Sequence, residues 1–87
     1  MEFQPSMEKN EKGAWIGIPI SDNTYIICSL ILLPNKREYE FYISENTSYN
    51  KDEDGYYTRD YNTVEGERKK KYREKYYDKL KNYFENE

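Results

Sequence analysis

Histidine is missing from this chain altogether. Because histidine is the commonest general base and the commonest side-chain metal ligand, its absence excludes every His-dependent triad. The serines stand in no activating motif of the G-x-S-x-G or S-x-x-K type. A chain of 87 residues also has little room for a concave active site. We therefore predict a protein that is not an enzyme and uses no cofactor.

Cysteine occurs once, at Cys28, inside the most apolar run of the chain. A single cysteine excludes a disulfide within the chain, and its surroundings predict a buried thiol that behaves as a small hydrophobic group. The chain also has no apolar run long enough to span a bilayer, since the most apolar run, residues 25–33, is too short. Residues 1–12 are polar throughout, which is unlike a signal peptide. We expect a cytoplasmic protein of the host cell with no membrane partner.

Positive charge is in short supply, with 14 Lys and Arg against 17 Asp and Glu and a net charge of −3. This balance argues against a protein that lives on nucleic acid or anionic lipid, although it leaves room for a local basic patch. What the chain does have is charge on 36% of its residues and eleven tyrosines. So many aromatic rings in so polar a chain predict a folded domain with a Tyr-rich, hydrated surface.

Most aliphatic side chains lie in residues 13–33. Alternation at every second position predicts a strand over residues 14–20, and a second strand over residues 24–33 follows a turn at Asp22. The second run is apolar on both faces, which suits a central strand covered on one face by a helix. Trp15 alternates out of phase with the isoleucines of the first strand, so either the helix or a partner must cover its face.

Two further strands are indicated after Pro34. Tyr39, Phe41 and Ile43 alternate with polar neighbours, which predicts a third strand with one buried and one exposed face. The Asp54-Gly55 pair predicts a tight turn. The tyrosines that follow it allow a fourth, edge strand, and an open loop is the alternative.

The end of the chain has the period of an amphipathic helix. One face collects its large apolar side chains, namely Tyr72, Tyr76, Leu80, Tyr83 and Phe84. We expect Asn62 or Thr63 to cap this helix, because Asn62 and Glu65 have the spacing of a capping box. Glu65 and Lys69 are also spaced for an exposed ion pair.

Together these elements predict an α+β fold, a small antiparallel β-sheet of three to four strands in meander order packed by one C-terminal amphipathic helix. We assign this single domain to residues 13–87. Residues 1–12 are expected to form a mobile arm that orders only by adding to a sheet edge or to a partner.

Acidic residues are concentrated in residues 38–60, which hold seven acids against Lys51 and Arg59, a net of −5. Carboxylates spaced along a strand have a spacing similar to the phosphates of nucleic acid, and tyrosines beside them are suitable interface anchors. We predict a partner-binding surface made of Glu38, Glu40, Glu45, Asp52, Glu53, Asp54, Asp60, Tyr49, Tyr56, Tyr57 and Tyr61. An acidic segment that only adds solubility is the alternative.

Part of this segment matches the start of a calcium loop, with Asn50, Asp52, Asp54 and Gly55 at the expected positions. The match fails at Tyr61, where a bidentate Glu is required. We therefore predict an acidic turn and no metal site.

Basic residues are concentrated at the start of the predicted helix and alternate with tyrosines. Cations for phosphates and rings for stacking are typical of a nucleic-acid surface. The candidate residues are Arg68, Lys69, Lys70, Lys71, Arg73 and Lys75. A solvated helix face is the alternative, because acidic residues on the same helix leave only a small excess of positive charge.

The segment GAWIGIPISDNTYIICSLIL, residues 13–32, loosely resembles the first hairpin of the immunity protein 26 family. The likeness consists of a Gly-led strand, an Ile-Pro-aliphatic triplet, a short Asp-containing turn and a Tyr-led second strand. In size, acidity and lack of catalytic groups the chain also resembles phage-encoded inhibitors of host nucleases, including small anti-CRISPR proteins, without sharing a motif with them. That resemblance implies binding in place of nucleic acid.

These observations lead to three hypotheses of function. The first is a non-enzymatic inhibitor or antidote that binds a larger host protein, a nucleic-acid-binding or nuclease complex, through the acidic, Tyr-rich surface. The second is a small nucleic-acid-binding module that uses the basic start of the helix. The third is a structural or assembly subunit. The protein is expected to be a monomer or a homodimer.

Overall fold

The computed structural model describes residues 6–35, 37–51, 54 and 57–86, and for residues 48–51 and 57–61 it describes the backbone alone. Six elements follow one another along the chain: β1 Ser6–Asn10, β2 Gly13–Ser21, β3 Thr24–Leu32, β4 Tyr39–Lys51, β5 Tyr57–Thr63 and α1 Glu67–Glu85. No helix in these ranges is long and apolar enough to cross a membrane.

The five strands form one antiparallel sheet in the order β1-β2-β3-β4-β5, and α1 contacts β1 to β4. The predicted α+β meander with one C-terminal helix is therefore confirmed. The predicted number of three to four strands is wrong, because β1 adds a further strand at the edge of β2 with Met7 opposite Ile16. Its sequence gives a weak signal because Met7 is its one apolar residue, so backbone pairing to β2 provides most of its contacts.

The order along the sheet agrees with the turn signals in the sequence. β2 and β3 form a hairpin, and the side-chain oxygen of Asn23 accepts bonds from the hydroxyls of Ser21 and Thr24, both at 3.1 Å. Of the two readings for the segment after Asp54, the edge strand is the one observed, since β5 pairs with β4. Of the predicted mobile arm, residues 6–10 form β1, and residues 1–5 lie outside the described ranges.

One face of the sheet is covered by α1, and the core lies between them. The buried residues of this covered face are Ala14, Ile16, Ile26, Cys28, Leu30, Phe41 and Ile43. Helix α1 contributes Tyr76 and Leu80, which lie at 8% and 0% exposure. The predicted aromatic helix face thus packs on the sheet, with Tyr72 and Phe84 partly buried at its margins.

The helix begins later than the capping signal predicts. Asn62 and Thr63 belong to β5, where Thr63 pairs with Ser44, so neither residue caps α1 and that prediction is wrong. The N-cap is Gly66 with φ 75° and ψ −147°, a conformation that favours glycine. Val64 holds the connection, because its N–H donates to the Ile43 carbonyl at 3.1 Å and its side chain is buried.

Candidate functional site

The second face of the sheet is not covered by any described element. Residues directly opposite one another in antiparallel strands share a face, so the strand register defines its members. The members of this open face with described side chains are Ser6, Glu8, Asn10, Gly13, Trp15, Gly17, Pro19, Tyr25, Ile27, Ser29, Ile31, Glu40, Tyr42, Ser44, Asn46 and Thr63, of which Gly13 and Asn46 are buried. Trp15 therefore lies away from α1, and the alternative in which the helix covers it is wrong.

Trp15, Ser29 and Tyr42 form one row across the centre of the open face, on β2, β3 and β4. Ile27 and Ile31 flank Ser29 along β3. Tyr42 is 48% exposed, and Trp15 and both isoleucines are half-buried. The sheet thus presents aromatic and aliphatic side chains to solvent around a small central residue, an arrangement typical of an interaction surface.

Two carboxylates lie beside this row. Glu8 is directly opposite Trp15 on β1. The Tyr42 hydroxyl donates a hydrogen bond of 2.7 Å to Glu40 Oε2. This bond, followed by partial desolvation and the Glu40 charge, raises the pKa of Tyr42 above its ordinary value. Glu40 is therefore held against the rim of an aromatic ring, and the described charged residues of the open face are both acidic.

The structure divides the predicted acidic surface. Glu38 and Glu40 are exposed near the start of β4, where Asn35 Nδ2 donates to Glu38 Oε2 at 3.1 Å. Glu45 lies on the covered face, opposite Ile26, and its carboxylate forms an ion pair of 2.6 Å with Arg68. Glu40 and Glu45 therefore lie on opposite faces of the sheet.

The remaining members of that predicted surface are located only in part. Asp54 is exposed in a turn. Tyr49, Tyr57, Asp60 and Tyr61 have strand backbone in β4 or β5, and their side chains lie outside the described part of the structure. Asp52, Glu53 and Tyr56 lie outside it entirely.

The predicted basic surface is largely engaged within the molecule. Arg68 pairs with Glu45, and that hydrogen bond raises its pKa. Lys69 lies 3.6 Å from Glu65, which confirms the predicted i,i+4 pair. Arg73 lies over the Tyr77 ring at 4.4 Å. Lys75 lies 5.4 Å from the ring centroid of Tyr76, and Lys70 and Lys71 are exposed.

The tyrosines of this helix are also used in packing. Tyr72 stacks on Tyr76 with ring centroids 6.1 Å apart, and Tyr76 is buried against the sheet. Stacking of nucleic-acid bases requires accessible ring faces. Of these rings, Tyr76 belongs to the core, whereas Tyr72 and Tyr77 are half-buried.

A cavity of about 510 Å³ opens at the end of the sheet beneath the last part of α1. Its lining residues are Leu33, Arg37, Glu38, Tyr39, Glu40, Tyr77 and Lys81. Tyr39 donates to Glu85 at 3.3 Å, and desolvation by burial together with that carboxylate raises the pKa of Tyr39. The lining contains two cations, Arg37 and Lys81, and two carboxylates, Glu38 and Glu40, so its charge does not indicate one class of ligand.

Groups with chemical reactivity are few in the described ranges. Burial raises the pKa of the Cys28 thiol to about 12, which makes it a poor nucleophile. Among the described residues, no three Asp, Glu, Cys or His side chains are grouped as metal ligands. Asn46 is fully buried at the register irregularity of β4, and neither polar atom of its side-chain amide has a hydrogen-bond partner among the described residues.

Several residues of the open face were missed in reasoning from the sequence. Glu8 falls in the predicted mobile arm, and Ser29, Ile27 and Ile31 fall in the run interpreted as core. The available signal was that β3 is apolar on both faces, whereas one helix covers only one of them. No family model matches the chain, and no curated protein and no solved structure matches it either.

Proposed function

We propose that this protein is a non-enzymatic inhibitor or antidote that binds a larger, nucleic-acid-handling host protein through the open face of its sheet. The observation that carries the proposal is the row of Trp15, Ser29 and Tyr42, which no described element covers and which has Glu8 and Glu40 beside it. Aromatic rings are enriched in protein interfaces. A standard interface buries about 800 Å² on each partner.

Charge indicates the kind of partner. Glu8 and Glu40 lie on the open face, and Glu38 is exposed beside it. A protein surface built to bind phosphates is basic and attracts such carboxylates over several ångströms. Binding there excludes nucleic acid by occupying its site and neutralising its charge.

The two other hypotheses have less support. For a nucleic-acid-binding module, the helix cations include Arg68 and Lys69, which are already paired with carboxylates, and the adjacent Tyr76 ring is buried against the sheet. For a symmetric assembly through the open face, Glu8 and Glu40 of one copy would meet the same acids of the other, and like charges in an interface are unfavourable.

Affinity capture and competition test the proposed function. The tagged chain is incubated with lysate of the host cells, and retained proteins are identified by mass spectrometry. We expect a basic nucleic-acid-binding protein that duplex DNA or RNA releases from the chain, and whose nucleic-acid binding the purified chain inhibits. If nucleic acid neither releases the retained protein nor is displaced by the chain, the proposed mechanism is wrong.

A charge-matched pair of variants assigns the surface. Glu38→Lys with Glu40→Lys reverses two carboxylates at the open face, and Glu74→Lys with Asp78→Lys reverses two exposed carboxylates of α1. Both double variants change the net charge equally, so a general effect of charge weakens both. We expect only the first to lose the partner. A third variant with Asp52, Glu53 and Asp54 changed to Lys tests the acidic segment that the sequence predicts to contribute.

A further inference from the structure

We infer that the open face contains a slot for the flat cation of an arginine side chain, with Trp15 and Tyr42 as its walls and Ser29 as its floor. The inference rests on the proposed function, because it names the group that the partner protein supplies. Ile27 and Ile31 close the two ends of the slot along β3.

The sheet register sets the width of the slot. A residue in the middle of three antiparallel strands has a hydrogen-bonded neighbour on one side and a non-hydrogen-bonded neighbour on the other, with Cα distances of about 5.5 and 4.5 Å. The Cα atoms of Trp15 and Tyr42 are therefore separated by about 10 Å across Ser29. One planar group in contact with a ring on each side needs roughly 7 to 8 Å. For rings that stand upright from the sheet, this Cα spacing leaves room for one flat group between them.

The chemistry of the rim selects a cation for that space. Glu8 stands beside Trp15 at one end of the row, and Glu40 is bonded to Tyr42 at the other. An aromatic face attracts a cation, and a carboxylate beside the ring adds a charged acceptor. The guanidinium group of arginine is planar, stacks on rings and matches carboxylates with two parallel N–H donors, whereas the ammonium group of lysine is a compact point charge.

Two other occupants fit the slot less well. A base of nucleic acid could stack between the rings, but its phosphates would approach Glu8 and Glu40. A second copy of this chain has Arg68 paired with Glu45 and Arg73 over Tyr77, but its Arg37 is exposed, so the oligomeric state in light scattering decides between a second copy and a different protein. A basic segment of a different protein satisfies both the stacking and the charge.

Trp15 provides a reporter inside the slot, because it is the one tryptophan of the chain. The purified chain is titrated with a nona-arginine peptide and, separately, with a nona-lysine peptide, and Trp15 emission is followed at two salt concentrations. We expect nona-arginine to change the emission and to bind at least about fivefold more tightly than nona-lysine. Equal affinity for the two peptides would show attraction by charge alone and would overturn the inference, as would unchanged emission.

Blocking the slot gives a second readout. Ser29→Leu places a branched side chain on the floor, between the two rings, and should abolish the preference for arginine while far-UV circular dichroism and the melting temperature show a retained fold. Ser6→Leu adds the same side chain to the open face on β1, outside the row, and should leave the preference unchanged. The inference is wrong if both variants or neither of them lose it.

Removal of the rim charges completes the test. Glu8→Gln with Glu40→Gln should weaken nona-arginine binding about fivefold or more, and Glu74→Gln with Asp78→Asn on α1 should leave it unchanged. Equal losses in both pairs would contradict a local site. Tighter binding of single-stranded DNA than of nona-arginine, or a dimer in light scattering that hides Trp15, would assign the face to another occupant.

Failure of the slot and failure of the proposed function give different results. If Ser29→Leu retains the captured partner although nona-arginine shows no preference, the slot is wrong and the inhibitor function stands. If nona-arginine binds as expected but no nucleic-acid-binding protein is captured or inhibited, the slot stands and the proposed inhibitor function is wrong.

Discussion

Both faces of the sheet carry apolar side chains, but α1 covers only one of them. On β3, Ile26, Cys28 and Leu30 point to α1 and are fully buried, whereas Ile27 and Ile31 point to the open face and are half-buried. Antiparallel sheets with one solvated face normally alternate apolar and polar residues. A strand that is apolar on both sides beneath a single helix therefore indicates a second cover that the described chain does not supply.

Adjacent isoleucines give the most direct test of this comparison. Ile26→Ala and Ile27→Ala make the same change one residue apart on opposite faces. We expect Ile26→Ala to lower the free energy of unfolding by about 2 to 5 kcal/mol, because it leaves a cavity beneath α1. Ile27→Ala should cost about 1 kcal/mol. Urea denaturation followed by circular dichroism measures both.

The stability of so small a domain is itself only a few kcal/mol, so Ile26→Ala can prevent folding. Ile26→Val and Ile27→Val then give the same comparison on a smaller scale, with about 0.5 to 1.5 kcal/mol expected for the first and nearly no change for the second. Equal costs at the two positions would show that the open face is covered in the isolated protein.

The glycines beside Trp15 provide the next largest effect. A Cβ atom at Gly13 would lie 2.1 Å from the carbonyl oxygen of Leu30, whereas the nearest atom to a Cβ at Gly17 is Ser6 Oγ at 3.8 Å. Gly13→Ala must displace the backbone of β3, and we expect it to cost roughly 1 to 3 kcal/mol. Gly17→Ala should be neutral or stabilising by up to about 1 kcal/mol. Thermal denaturation distinguishes the two, and a harmless Gly13→Ala would contradict the close approach of β2 to β3.

Trp15→Ala separates folding from binding on the open face. Truncation of a fully buried Trp costs about 3 to 5 kcal/mol, and the half-buried Trp15 should cost clearly less. Binding of the captured partner should be lost, while the fold is retained in circular dichroism. A full core-sized loss of stability would place Trp15 in the core instead. Trp15→Phe serves as the control, because it keeps an aromatic wall.

The sequence predicts the secondary structure correctly where the spacing of its apolar residues matches the period of a strand or a helix. Alternation at Tyr39, Phe41 and Ile43 and the helical period around Leu80 predict the sheet and the helix correctly. Alternation along β4 also places Glu45 on the same face as Ile43 and on the opposite face from Glu40. Grouping the acidic residues by composition alone puts the two acids in one surface.

The remaining features depend on pairing that no local pattern shows. β1 is polar and is ordered by pairing with β2, so Glu8 could not be placed beside Trp15 in advance. Asn62 and Thr63 are good caps in isolation, but the pairing of β5 with β4 uses them in a strand and moves the helix start to Gly66. The row of Trp15, Ser29 and Tyr42 likewise depends on the register of three strands.

The smallest effect concerns two raised pKa values, one on each face. Burial alone raises the pKa of Cys28 on the covered face, whereas the leading cause for Tyr42 on the open face is its hydrogen bond to Glu40. We therefore expect Glu40→Gln to lower the pKa of Tyr42 toward its ordinary value and to leave Cys28 unreactive toward a thiol reagent. Glu38→Gln is the control and should change neither group. Carbon NMR of the Tyr42 ring during a pH titration measures the shift.

The sign of the linked stability follows from the direction of the shift. A tyrosine pKa raised by folding means that the neutral hydroxyl is favoured in the folded state, so this contribution is fully present below the unfolded pKa and is lost as the pH rises through the folded one. The difference between wild type and Glu40→Gln should therefore be present at neutral pH and fade in the alkaline range. A Tyr42 pKa that is unchanged in Glu40→Gln would show that desolvation is the main cause of its raised pKa, as it is at Cys28. Tyr42 would then be less accessible to solvent than the structure indicates.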